Sequence, residues 1–138
     1  MTEKKHVNTM RMPIRWGDMD AMGHVNNTVY FRYIETARIT WLEENRYEPT
    51  AEGEGPVIVS AFCSFKRQLK YPGDIEIRTF VGPAGRSSFD MTHEIRAVGP
   101  DGQAGEVNAE GGAKIVWVNM KQEKSVPLPD QVRALLAN

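Results

Sequence analysis

One cysteine, Cys63, stands in 138 residues. No internal disulfide can form and no cysteine cage can hold a metal, and a lone thiol fits a reducing compartment. Histidine is nearly as scarce. The chain has three, His6, His24 and His93, and no two stand at ligand spacing on one element, so no metal site is expected. Long apolar runs are missing. None approaches the ~20 residues that a membrane-spanning helix needs, and the polar opening Met1–His6 leads into no signal-peptide core. An excess of one charge is missing too: 17 Lys and Arg meet 18 Asp and Glu, for a net charge of −1. That balance supplies no basic field for nucleic acid or an anionic membrane. The nearest approach to one, Lys66-Arg67-Gln68-Leu69-Lys70, is short and interrupted. A cytoplasmic protein with no nucleic-acid partner and no membrane contact is expected.

What is present suits one compact domain over residues 1–138, with 1–8 read as a frayed polar tail. Met10, Met12 and Ile14 alternate with polar residues, which argues a strand. Pro13 lacks a backbone donor, so that strand belongs at a sheet edge. Val29, Tyr30, Tyr33, Ile34, Ala37, Trp41 and Leu42 recur at spacings of three and four, predicting a helix over about 27–45. Residues 46–55, with Pro49, Gly53 and Gly55, read as a loop. Strands are predicted at 57–65, 75–80, 89–96 and 113–118, separated by Pro- and Gly-containing turns. A short helix closes the chain from Pro129 to Ala137, with proline in its first turn. Strands joined by short turns pair antiparallel, so one long helix lies against one antiparallel sheet, an α+β layer. A single helix covers one face of such a sheet, and self-association would cover the rest.

Candidate chemistry gathers between the first strand and the long helix, in Arg15-Trp16-Gly17-Asp18-Met19-Asp20-Ala21-Met22-Gly23-His24-Val25-Asn26-Asn27. Acids stand just ahead of a helix N-terminus, where free N–H groups point outward. A carboxylate there can act as general base or nucleophile, with the N–H groups polarising a carbonyl. The same residue types also make ordinary turns and caps. His24 could be a base or an organiser of the turn. Cys63 reads as a small buried hydrophobe and His93 as a hydrogen-bonded core histidine. Glu35 and Arg38 are spaced for an i,i+3 ion pair. Gly85-Arg86-Ser87-Ser88 suits a phosphate contact or a plain turn.

This run, together with Tyr30, Glu35, Ala37 and Arg38, resembles the signature of the 4-hydroxybenzoyl-CoA thioesterase-like family of hot-dog-fold acyl-CoA thioesterases. Tyr71-Pro72-Gly73-Asp74, Gly85-Arg86-Ser87-Ser88-Phe89 and Val126-Pro127-Leu128-Pro129 extend the likeness over most of the chain. The resemblance implies a hot-dog fold, a central helix wrapped by an antiparallel sheet of about five strands. It implies a homodimer or homotetramer with active sites at the dimer interface. Asp20 would be the catalytic carboxylate, and the backbone N–H of Asn27 the group that polarises the thioester carbonyl. Gly23, His24 and Tyr30 would border the substrate. Glu35 would reach the acyl group's far end, Ser60 and Ala61 would come from the partner subunit, and Arg86 and Ser87 would touch coenzyme A. His24-Val25-Asn26-Asn27 is the form seen in members acting on fatty or other acyl-CoAs.

The expected activity is hydrolysis of an acyl-CoA to free acid and coenzyme A. No separate cofactor is expected, since coenzyme A is part of the substrate. Two other readings share the same residues: a thioesterase acting on acyl-carrier-protein substrates, and a non-enzymatic acyl-CoA-binding domain.

Overall fold

The computed structural model describes residues 4–47 and 53–137. Strand β1 (Lys5–Pro13) leads through a single 3-10 turn (Trp16–Asp18) to helix α1 (Asn27–Glu44). Strands β2 (Glu54–Phe65), β3 (Asp74–Val81), β4 (Ser88–Val98), β5 (Ala104–Asn119) and the two-residue β6 (Lys124–Ser125) follow, and helix α2 (Asp130–Leu136) ends the chain. The strands form one antiparallel sheet in the order β1-β3-β4-β5-β2, with β6 beside β5. This is the α+β hot-dog arrangement, a central helix wrapped by an open sheet. Pro13 sits at the end of an edge strand, where its missing donor costs no ladder bond to a second neighbour.

The core is the seam between α1 and the sheet. Tyr30, Tyr33, Ile34, Ala37 and Trp41 are the buried positions of α1, the stripe that the spacing predicts. They meet alternate residues of the strands, among them Ile75 and Ile77 of β3 and Met91 and Ile95 of β4. At the far end of the sheet α2 adds Val132 and Leu136 against Trp117 and Val81.

Three expectations are corrected. The tail is not frayed through residue 8, because β1 begins at Lys5, pairs with Val81, and donates its Nζ to Ala137 O at 2.6 Å. Backbone pairing needs no apolar residues, so a polar segment can be held as well as an apolar one; residues 1–3 lie outside the described residues. The last long strand starts at Ala104 rather than 113 and runs straight through Gly111 and Gly112. Those glycines are places of close approach, not breaks: a Cβ on Gly112 would stand 2.9 Å from Met91 O, and one on Gly111 would collide with Ile34 Cδ1. Pro129 caps the closing helix instead of entering it, and α2 begins at Asp130. The centre of the loop expected over 46–55, residues 48–52, lies outside the described residues.

Candidate active site

The turn before α1 folds as a miniature hairpin. Met19 and Val25 form an isolated antiparallel bridge. Asp20 N donates to His24 O at 2.9 Å and Gly23 N to Asp20 O at 3.1 Å. Gly23 has φ 80, the left-handed conformation that closes a three-residue hairpin loop and that a β-carbon resists. The backbone N–H of Met22 donates to Asp20 Oδ1 at 2.9 Å, which holds one oxygen of that carboxylate and leaves the other without a partner among the described residues.

Asp18, two residues earlier, has a different place. Its Oδ2 accepts from Arg15 N at 2.9 Å and from the Tyr33 hydroxyl at 2.7 Å. Burial and the Asp18 carboxylate both push the Tyr33 pKa up. Asp18 therefore fastens the turn to the second turn of α1, and the two acids are not a pair.

At the helix start, Asn26 is the N-cap. Its Oδ1 accepts from Thr28 N at 2.9 Å, and its carbonyl accepts from Val29 N at 2.9 Å. The N–H of Asn27, between them, has no acceptor among the described residues, so it is an open donor at the positive end of the helix.

Asp20, His24, Asn27 and Tyr30 line one cavity of about 560 Å³, closed on the other side by Phe65, Lys66, Arg67 and Gln68. The last four carry no local motif that would mark them. The short basic cluster around Lys66 belongs to this cavity, and within it Arg67 is paired with Glu106. Leu69 is the clamp behind the site. Its carbonyl accepts from Val25 N at 2.9 Å, and its N–H donates to Tyr30 Oη at 3.2 Å. Burial raises the Tyr30 pKa, partly offset by that N–H, so the hydroxyl keeps its proton. Tyr30 also meets Phe65 edge to face, with ring centroids 4.9 Å apart.

The other expected site residues lie elsewhere. Ser60 and Ala61 are exposed in the middle of edge strand β2, and Ser60 lines a separate cavity of about 330 Å³ with Phe62, Thr92 and Lys114. Arg86 and Ser87 sit between β3 and β4. The start of β3 joins the Asp20 end of the fold, where Ile14 N donates to Gly73 O. One strand length, ~25 Å, therefore separates Arg86 and Ser87 from Asp20 in the same chain. Their carbonyls accept from Leu128 N and Trp117 N.

Glu35 does not pair with Arg38. Its salt bridge is with Arg32 at 2.6 Å, although it lines the same cavity beside β2 as Arg38 and acts on that charge through space. The remaining titratable candidates are structural. Cys63 has its thiol pushed up to about 11 by burial, which leaves little thiolate. His93 is 1% exposed and shares a 2.9 Å hydrogen bond with Thr79. Among the described residues no three of His, Cys, Asp and Glu cluster as a metal site, and no helix is long and apolar enough to cross a membrane.

Comparison with known proteins gives the family and the fold. The pattern of the thioesterase-like superfamily matches residues 14–136. The PA2801 protein of Pseudomonas aeruginosa is 34% identical, with a TM-score of 0.86 over 96% of this chain and 100% of its own. A gentisyl-coenzyme A thioesterase is 29% identical, with a TM-score of 0.79 over 94% of this chain and 100% of its own. A 4-hydroxybenzoyl CoA thioesterase at 22% identity shares the fold, with a TM-score of 0.84 over 94% of this chain and 98% of its own.

Proposed function

This chain belongs to the thioesterase-like superfamily, and on that premise we propose that it hydrolyses acyl-CoA thioesters to a free acid and coenzyme A, with Asp20 as the catalytic carboxylate. One observation carries the reading. A carboxylate with one oxygen uncommitted and a helix N–H with no acceptor line the same cavity. In this arrangement the thioester carbonyl oxygen sits on the Asn27 N–H, which stabilises the negative charge that develops there. Asp20 takes a proton from water as the water oxygen bonds to the acyl carbon, or attacks that carbon itself to form a mixed anhydride that water then opens. The carbon–sulfur bond breaks, and the coenzyme A thiolate leaves and is protonated. Gly23, His24 and Tyr30 shape the wall beside the reacting carbon. Asp, water and a backbone donor complete this reaction without a separate cofactor.

The working form in this reading is a homodimer, or a tetramer built from dimers. Strand β2 supports it. It is a 12-residue edge strand on which Ile58, Val59, Phe62 and Phe65 are 42–56% exposed. Long apolar edges of this kind are covered by pairing. A second copy docked there would bring its Ser60 and Ala61 to the thioester and its Arg86 and Ser87 within reach of coenzyme A.

Replacing Asp20 by Asn tests the assignment. Asp20→Asn keeps the Met22 N–H acceptor but loses the base, so kcat on acyl-CoA should fall by at least ~100-fold, the lower range for a positioned acid or base, with the unfolding midpoint unmoved. An Asp20→Asn protein with the wild-type rate would end the proposal.

A further inference from the structure

Helix α1 and strand β2 run side by side. Tyr30 meets Phe65 at one end of the pair, and Trp41 and Leu42 share a cavity with Pro56 and Ile58 at the other. The Asp20 cavity lies at the first end of this pair, where Tyr30 and Phe65 line it. The second end is a cavity of about 160 Å³, walled by apolar side chains such as Ile58, Trp41, Phe89 and Trp117, with Glu35 and Arg38 as its charged residues. Its volume is close to the ~150 Å³ of an engineered cavity that holds benzene. Glu35 is committed to Arg32 at 2.6 Å. Arg38 is half-buried and has no hydrogen bond or salt bridge with any described residue, and Glu35 acts on its charge only through space. His93, its titratable neighbour, is held neutral by burial and by the Arg38 charge, so it adds no second positive charge. A guanidinium taken out of water into an apolar wall without an acceptor is costly. Glu35 offsets part of that cost through space, and a hydrogen-bond acceptor brought to the guanidinium offsets more.

The helix supplies a path from the reacting carbon to this arginine. Asn27, Phe31, Glu35 and Arg38 follow one another at spacings of four, four and three, which places them in one row along α1. The rise from Asn27 to Arg38 is ~16 Å, and an arginine on a helix leans back toward the N-terminus, which shortens the gap. We propose that Arg38 is the receptor for a carboxylate at the far end of the acyl group, so that the preferred substrates are thioesters whose acyl chain ends in an acid. A planar guanidinium matches a carboxylate with two parallel hydrogen bonds. A single guanidinium, in a cavity that Glu35 also lines, suits a monoanion better than a phosphate dianion. This inference rests on the thioesterase reading above and adds the substrate class to it.

The experiment compares suberyl-CoA with octanoyl-CoA, equal in length and differing in the terminal carboxylate. The wild-type protein should favour suberyl-CoA in kcat/KM. Arg38→Leu should lower the suberyl-to-octanoyl ratio by about 10- to 100-fold, the worth of a hydrogen bond to a charged group. Arg38→Lys, which keeps the charge but not the fork, should fall between. Free suberate should raise the wild-type unfolding temperature and leave that of Arg38→Leu unmoved, a readout that needs no turnover. Hydrolysis of octanoyl-CoA with no preference for suberyl-CoA, or a ratio unchanged in Arg38→Leu, overturns the inference and leaves the thioesterase reading standing. A wild-type protein that hydrolyses neither thioester overturns both.

Discussion

The Tyr33 hydroxyl donates to Asp18 Oδ2 at 2.7 Å, tying the turn that carries Asp20 to the body of α1. Because Asp18 also accepts from Arg15 N, it bridges the end of β1 and the helix. Asp20 is thus positioned by its neighbour, which explains why two acids stand two residues apart when only one lines the cavity. Tyr33→Phe removes the hydroxyl and keeps the ring. Its loss should cost about 1.5–3 kcal/mol, the usual worth of a hydrogen bond to a charged group, read by urea unfolding. Turnover should fall as well, because the turn loosens.

Gly112→Ala should destabilise the protein by about 1–3 kcal/mol, the usual cost of overpacking a tight contact. The added methyl would stand 2.9 Å from Met91 O and 2.8 Å from the Phe62 ring. Thermal unfolding of the variant measures it. Gly105→Ala is the control, since its nearest neighbour, Ala97 O, lies at an ordinary 3.5 Å.

Acid should weaken the fold through His93. Burial first, then the Arg38 charge, lowers its pKa from 6.5 to about 3. The unfolded chain therefore binds a proton below pH 6.5 that the folded chain refuses, so stability falls as pH drops through that window. At pH 5 this one group should cost about 2 kcal/mol relative to pH 8. His93→Gln should flatten the slope of unfolding free energy against pH between 5 and 7, and a slope equal to the wild type would rule His93 out as its source.

Val59→Asp places a charge on the exposed edge of β2, where a bulge falls between Ile58 and Ser60. Sedimentation should show the wild type as a dimer or larger and the variant as a single chain, with turnover lost because the partner's Ser60 and Ala61 are gone. A wild-type protein that sediments as a single chain and hydrolyses acyl-CoA would remove the dimer from the mechanism.

Much of the fold was legible along the chain because its signals are local. The three-and-four spacing from Val29 to Leu42 marks α1, and the alternation in β3 and β4 marks strands. Residue type marked 17–27 as a turn with capping residues, within which the structure puts Gly23 in the left-handed conformation and Asn26 at the cap. The glycines of β5 misled, because Gly111 and Gly112 answer to Ile34 and Phe62, which are distant in sequence. The polar start of β1 misled because backbone pairing with β3 leaves no mark on side-chain type.

By itself the sequence determined that a strand, a turn and an amphipathic helix would put Asp20 just ahead of a helix N-terminus. Each of those features depends on residues close together in the chain. Tertiary structure alone decided what surrounds them. Packing brought Leu69 across to hold Val25 and Tyr30, and gave Glu35 its salt bridge to Arg32 rather than to Arg38. It also set Arg86 and Ser87 a strand's length from Asp20. These outcomes depend on which segments meet and from which side, and a spacing of three residues fits either partner until the sheet is there to exclude one.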